Sequence, residues 1–181
     1  MVIPQLTPDR GADLSVGVPP PLRFRPLLGR LRNVRWRSSM DRPSEGLTAA
    51  QKAGLRYEAK AQLWLSEQLG RAYQAAPYLH FEDNSGPRTL IPDGLFFDTG
   101  GTALVFEIKS QHMPEAWWQL RHLYEPVVRE LGFIRRVSCV EVTKSFDPSM
   151  GFPEEVLLRR DLSKLLELPP EPFKVLLWRP Q

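Results

Sequence analysis

The clearest periodicity in the chain runs from Thr48 to Gly70. Ala50, Ala53, Tyr57, Ala61, Trp64 and Leu65 recur at three- and four-residue spacing, which predicts a helix of about five to six turns with one buried face. "TAAQ" at its start has the form of a capping box, with Thr48 as N-cap and Gln51 reaching back to its amide, and Gly70 supplies the stop. Glu58 lies at the edge of the apolar face. "AYQAAPYLHFE" then reads as one strand. Beyond the polar loop "DNSGPR", the β-prone runs "TLIPDGLFFD" and "TALVFEIKS" are joined by "TGG", which predicts a hairpin. A second helix is predicted from Pro114 to Leu131, where Trp117, Leu120, Tyr124, Val127, Val128 and Leu131 line one face. Gly132 ends it, and Pro126 predicts a kink or a split. Phe133 to Thr143 reads as a strand, Leu157 to Leu168 as a short amphipathic helix, and "FKVLLW" as a last strand. Strands interleaved with helices predict an α/β fold, with a mixed β-sheet flanked by helices.

The first 43 residues break this pattern, with seven prolines and no sustained period of 2 or 3.6. The expected organisation is an extended basic N-terminal arm over residues 1–43 and a folded domain over 44–181. At 181 residues and 42% hydrophobic, the chain has material for one core of ordinary size. The net charge of +3 understates a local excess, because seven arginines fall between Arg23 and Arg42 against the single acid Asp41. "LRFRPLLGRLRNVRWR" interleaves Phe24 and Trp36 with arginines. Arg23, Arg25, Arg30, Arg32, Arg35 and Arg37 are therefore candidate nucleic-acid contacts, following phosphates while the aromatics stack on bases or pack on a protein groove. A basic tail with no specific role has the same composition.

Cys139 is the only cysteine, which excludes an internal disulfide and any cysteine-based zinc site and points to a reducing compartment. The longest apolar runs, such as "ALVF" and "VLLW", are far too short to span a bilayer, and no secretory leader is legible. The expectation is a cytoplasmic protein, or a virion protein if of viral origin, without a membrane partner.

The candidate chemistry sits on the predicted hairpin. Asp93 begins one strand and Glu107 lies in the next, while Glu107 and Lys109, two apart, project from the same face. An acid in a strand as apolar as "TALVFEIKS" must be paired or metal-bound to offset its desolvation. Hard carboxylate oxygens suit magnesium or manganese, with Asp93 and Glu107 as ligands and the carbonyl of Ile108 as a third. Lys109 is placed to orient or deprotonate an attacking water and to hydrogen-bond the charge developing on a phosphate oxygen. The bland counterpart is a Glu107–Lys109 pair on a solvated strand face. His80, His112 and His122 are scattered and form no HNH or HxH pattern.

"IPDG" and "FEIKS", with thirteen residues between Asp93 and Glu107, resemble the PD-(D/E)XK nuclease superfamily, with Pro92, Asp93, Glu107 and Lys109 at the signature positions. "GLRYEAKA" resembles the GxxxExxA helix of its RecB-like and Cas4-like branches. The resemblance implies a restriction-endonuclease-like core over roughly Thr48 to Thr143. It implies Glu58 as an additional acid that helps hold the metal, and magnesium- or manganese-dependent hydrolysis of DNA phosphodiester bonds. RecB-like members often carry QxxxY in the next helix. Here "QLRHLY" sets Gln119 and Tyr124 one residue further apart, and on a regular α-helix Gln119 points away from the apolar stripe, so no role is expected for it. Two other classes share these features. One is an assembly protein of a virus particle or recombination complex that keeps the nuclease fold and binds partner subunits through its arm, and the other is a nonspecific nucleic-acid-binding module. The presence of every acid and the lysine favours an active nuclease.

Overall fold

The computed structural model describes residues 25–37, 48–147, 149 and 154–180. Its strands are β1 (Arg32–Arg37), β2 (Tyr73–Ala75), β3 (Tyr78–Asp83), β4 (Gly86–Leu90), β5 (Gly94–Phe97), β6 (Thr102–Lys109), β7 (Arg136–Thr143), β8 (Val156–Arg159) and β9 (Phe173–Leu177). The helices are α1 (Ala49–Leu69), α2 (Pro114–Gln119), α3 (Glu125–Arg129) and α4 (Leu162–Leu166). A six-stranded mixed sheet has the order β2-β5-β6-β7-β9-β8, and a separate three-stranded sheet the order β1-β3-β4. In the larger sheet β2, β5 and β6 pair antiparallel, whereas β6, β7, β9 and β8 pair parallel. The architecture is thus α/β with a mixed sheet between helices, as the interleaved periodicities predict. Among the described residues no helix is long and apolar enough to cross a membrane.

Side-chain parity along β6 and β7 sorts the core into two layers. Leu104, Phe106, Ile108, Val140 and Val142 pack with Tyr57, Ala61 and Leu65 of α1 and with Leu162 and Leu165 of α4. Val105, Val137 and Cys139 on the other face pack with the helical segment from Trp117 to Leu131 and with Leu79 and Phe81 of β3. The odd-numbered ends of these strands, Glu107 and Glu141, therefore face the second layer.

Helix α1 begins with the predicted capping box: Thr48 Oγ1 accepts from Gln51 N (3.2 Å), and Gln51 Oε1 accepts from Thr48 N (2.9 Å). Gly70 caps its other end at φ 63°. Its buried residues are Tyr57, Ala61 and Leu65, while Ala50 and Ala53 are exposed. The first two turns lie off the core.

Four expectations need correction. "AYQAAPYLHFE" is two strands in two sheets, because Ala76 adopts φ 42° before Pro77, which has no N–H to continue a ladder. Leu90 belongs to β4 and pairs with β3, so the hairpin proper is β5 with β6. The Leu157–Leu168 run opens as β8, parallel to β9, and only then forms α4, capped by Asp161 through Ser163 N (2.9 Å). Finally, the described part of the predicted arm is not an arm: β1 pairs with β3, and Leu27, Leu31, Val34 and Trp36 pack against the core. Its alternation of arginine with Val34 and Trp36 is a half-buried strand too short to stand out from its proline-rich context. The remainder of residues 1–43 lies outside the described residues.

Candidate active site

Asp93 is fixed by its backbone before its side chain is considered. Its N–H donates to Phe106 O (3.1 Å) and its carbonyl accepts from Ala76 N (3.0 Å), which clamps it between β2 and β6. The antiparallel pairing of Gly94 with Phe106 sets Asp93 across from Glu107. Asp93 Oδ2 accepts from Ile108 N at 2.7 Å, which ties the aspartate to the residue between Glu107 and Lys109. The glycine that follows is required by packing: a Cβ on Gly94 would run into the Tyr73 phenol, which is itself held edge-on against Phe106.

Glu107 is 2% exposed. Its Oε1 takes the Lys109 ammonium, and its Oε2 is buried with no hydrogen-bond partner. Burial raises the Glu107 pKa, the charge of Asp93 raises it further, and Lys109 only partly opposes them. Glu58 joins the group through Gln62, whose Nε2 donates to Glu58 Oε1 (3.3 Å) and to Asp93 O (3.0 Å). The Tyr73 hydroxyl is pushed up by burial, then by the charges of Asp93 and Glu58. Between the first half of α1 and the end of β6 opens a cleft of about 280 Å³, lined by Gly54, Leu55, Glu58, Ile108, Lys109 and Ser110, with Gln51 at its rim.

Asp93, Glu107 and Lys109 are thus linked along β6, and Glu58 adjoins Asp93 through Gln62. Among the described residues no three His, Cys, Asp or Glu side chains meet as a ready-made ligand group for an ion. The donors present are nevertheless hard carboxylate oxygens, and the unpartnered Glu107 Oε2 is a buried acceptor that a cation would satisfy.

One acid was not read from the sequence. Glu141 stands beside Glu107 in the parallel β6–β7 register, is fully buried, and its Oε2 lies 2.6 Å from His112 Nδ1. Burial raises its pKa and His112 opposes the rise. The signal was an acid inside the apolar run "SCVEVT", the same kind of pattern that marks Glu107. Gln119 is likewise buried, and its Nε2 donates to Tyr124 Oη at 3.2 Å. A π-turn over Leu120–Tyr124, with Glu125 N bonded to Leu120 O, brings the two side chains together despite the extra residue. The expectation that Gln119 points away from the apolar face assumed a regular α-helix and is corrected here.

Another cavity, about 500 Å³, lies toward the opposite end of β6, near Thr102, Ser138 and Lys174. Its buried lysine donates to Ser138 Oγ (2.6 Å), Pro170 O (3.2 Å) and Pro172 O (3.3 Å). Of the candidate arginines, Arg23 lies outside the described residues. Arg25, Arg30, Arg32, Arg35 and Arg37 are exposed on and before β1. Comparison with protein-family models, curated proteins and solved structures finds no match for this chain.

Proposed function

We propose that the protein is a metal-dependent nuclease that hydrolyses DNA phosphodiester bonds, with Asp93, Glu107 and Lys109 as its working residues and Glu58 as a supporting acid. The Glu107 carboxylate carries this reading. One of its oxygens is neutralised by Lys109 while the other is buried without a donor, across the β5–β6 pair from a second carboxylate. Leaving such an oxygen unsatisfied costs about 1–3 kcal/mol or more, and a hard cation is the ligand that reverses that cost. Asp93, Glu107 and the Ile108 carbonyl would hold magnesium or manganese, which when bound supplies charge compensation at a scissile phosphate. The anchoring of Asp93 on Ile108 N–H sets the relative position of the two strands that carry the acids. Lys109, partly open to the cleft, can donate to a phosphate oxygen or hold a water through its ammonium, and Glu107 fixes where that ammonium lies.

The test is cleavage of plasmid, linear duplex and single-stranded DNA by the wild type and by Lys109→Ala. Cleavage is expected with magnesium or manganese, none with chelator, and binding without efficient turnover with calcium. Lys109→Ala should lose on the order of 10²-fold or more in rate. Cleavage indifferent to chelator, or unchanged in Lys109→Ala, overturns the proposal.

A further inference from the structure

We infer that the outer face of the β1-β3-β4 sheet is a binding platform for single-stranded nucleic acid, built from Tyr78, His80, Arg32, Arg35 and Arg37. The inference deepens the nuclease reading by naming a strand class, and rests on it for what the bound strand is for. The inner face of this sheet belongs to the core: Val34, Trp36, Leu79, Phe81 and Leu90 all pack there. By parity the outer face carries Arg35 and Arg37 from β1 and Tyr78, His80 and Glu82 from β3.

Three observations make this face more than a scatter of surface charge. Simple alternation would turn Arg32 inward, since it is out of phase with Arg35 and Arg37. A register shift between Arg32 and Arg35, with Asn33 at φ 54°, pairs Arg32 with Glu82 and so returns it to the outer face. The bulge thus places three arginines on one side. Next, the Tyr78 and His80 rings lie nearly parallel (15°) with centroids 6.0 Å apart, and His80 is held by a 2.9 Å hydrogen bond from its Nδ1 position to Thr89 Oγ1. The Arg37 guanidinium sits 5.3 Å over the Tyr78 ring. Last, the charge is nearly one-sided: Glu82 is the only acid on this face of the three described strands, and it stands opposite Arg32, leaving Arg35 and Arg37 facing solvent. Burial first, and then the charges of Arg37 and Arg35, lower the His80 pKa.

A groove of about 240 Å³ passes Asn33, Arg35, His80, Glu82 and Thr89. Aromatic rings flanked by guanidinium groups match a strand whose bases are free to stack and whose phosphates follow the arginines. A duplex keeps its bases stacked on one another and offers the rings nothing, so the chemistry favours the single strand.

Binding is read in chelator, with the full chain, by fluorescence anisotropy of labelled oligo(dT) and of a duplex of equal length. Oligo(dT) should bind more tightly than the duplex. Tyr78→Ala should weaken oligo(dT) binding about 5- to 150-fold, the range expected for one stacked base. The double variant Arg35→Gln, Arg37→Gln, which alters only exposed side chains, should flatten the salt dependence by roughly 1.4 in log–log slope, about 0.7 per single-strand phosphate. Equal or tighter duplex binding, or unaltered oligo(dT) binding by the arginine variant, overturns the platform. If binding is unaltered while Lys109→Ala abolishes cleavage, the platform falls and the nuclease stands. Weakened binding in a protein that cleaves nothing has the opposite meaning.

Discussion

Glu107 shows how a site residue burdens the fold that holds it. A carboxyl buried to 2% exposure, with a second acid across the strand pair, is easier to keep protonated than charged. Its folded pKa lies above its unfolded value, so the folded state binds the extra proton. The stability it contributes is complete below the ordinary carboxylate pKa and is lost as pH rises through the raised one. In chelator, the wild type should therefore lose stability from about pH 5 toward pH 8, and Glu107→Gln should remove that component. At pH 8 the variant should be the more stable protein by about 1 kcal/mol or more, a rise in Tm of roughly 2–4 °C. It should also be inactive. Melting both proteins across this pH range checks the sign, and a Glu107→Gln protein that melts lower than wild type at pH 8 would show that the carboxylate is stabilising as it stands. The acids and the lysine were legible because strand parity alone puts Glu107 and Lys109 on one face and the hairpin brings Asp93 near. What was not legible is what positions them. The Ile108 N–H and Gln62 contacts depend on strand register and helix rotation, neither of which residue type specifies.

At the scale of elements, the π-turn between α2 and α3 is the point where periodicity misled. Gln119 and Tyr124 are five apart, and an α-helix of 3.6 residues per turn separates such a pair. One wider turn restores their alignment, and Pro126, which has no N–H to donate, follows at the start of α3. Tyr124 Oη accepts from Gln119 Nε2 and lies 3.5 Å from Ile91 O, two residues before Asp93. Tyr124→Phe should cost about 1 kcal/mol of stability, near the value of an ordinary buried hydrogen bond. If the contact also steadies the Ile91–Asp93 segment, cleavage by this variant should fall with KM little changed. Denaturant midpoints and steady-state kinetics together separate a packing role from a positioning one. The same limit explains the other misread elements. Ala76 and Pro77 divide one apolar run between two sheets, and β8 is a strand because β9 offers it an edge, which no local pattern records.

For the whole molecule, the decisive question is where the folded unit begins. Composition puts the boundary at residue 43, but the segment from Arg25 to Arg37 is fastened to the core at several points. Leu28 N donates to Asp83 Oδ2 (3.1 Å), Asn84 N donates to Leu28 O (2.8 Å), and the Arg88 guanidinium donates to Pro26 O (2.7 Å) and Arg25 O (2.6 Å). Trp36 packs on Phe97 with ring centroids 5.5 Å apart. Deleting residues 1–43 would uncover the inner face of β3 and strip a buried carboxylate of a donor. Losing the burial of even two or three large apolar side chains costs on the order of 5 kcal/mol, comparable with the stability of an ordinary domain. That truncation should therefore unfold the protein or lower its Tm by 10 °C or more, at roughly 2–4 °C per kcal/mol. Deleting only residues 1–24 leaves every contact named above in place. If the shorter deletion weakens DNA binding and flattens its salt dependence, arginine ahead of Arg25 adds to the grip. A 1–43 deletion that melts with the full chain would show that β1 contributes nothing to the core, and with it the sheet face proposed to hold a single strand would lose its outer edge at no cost to the fold.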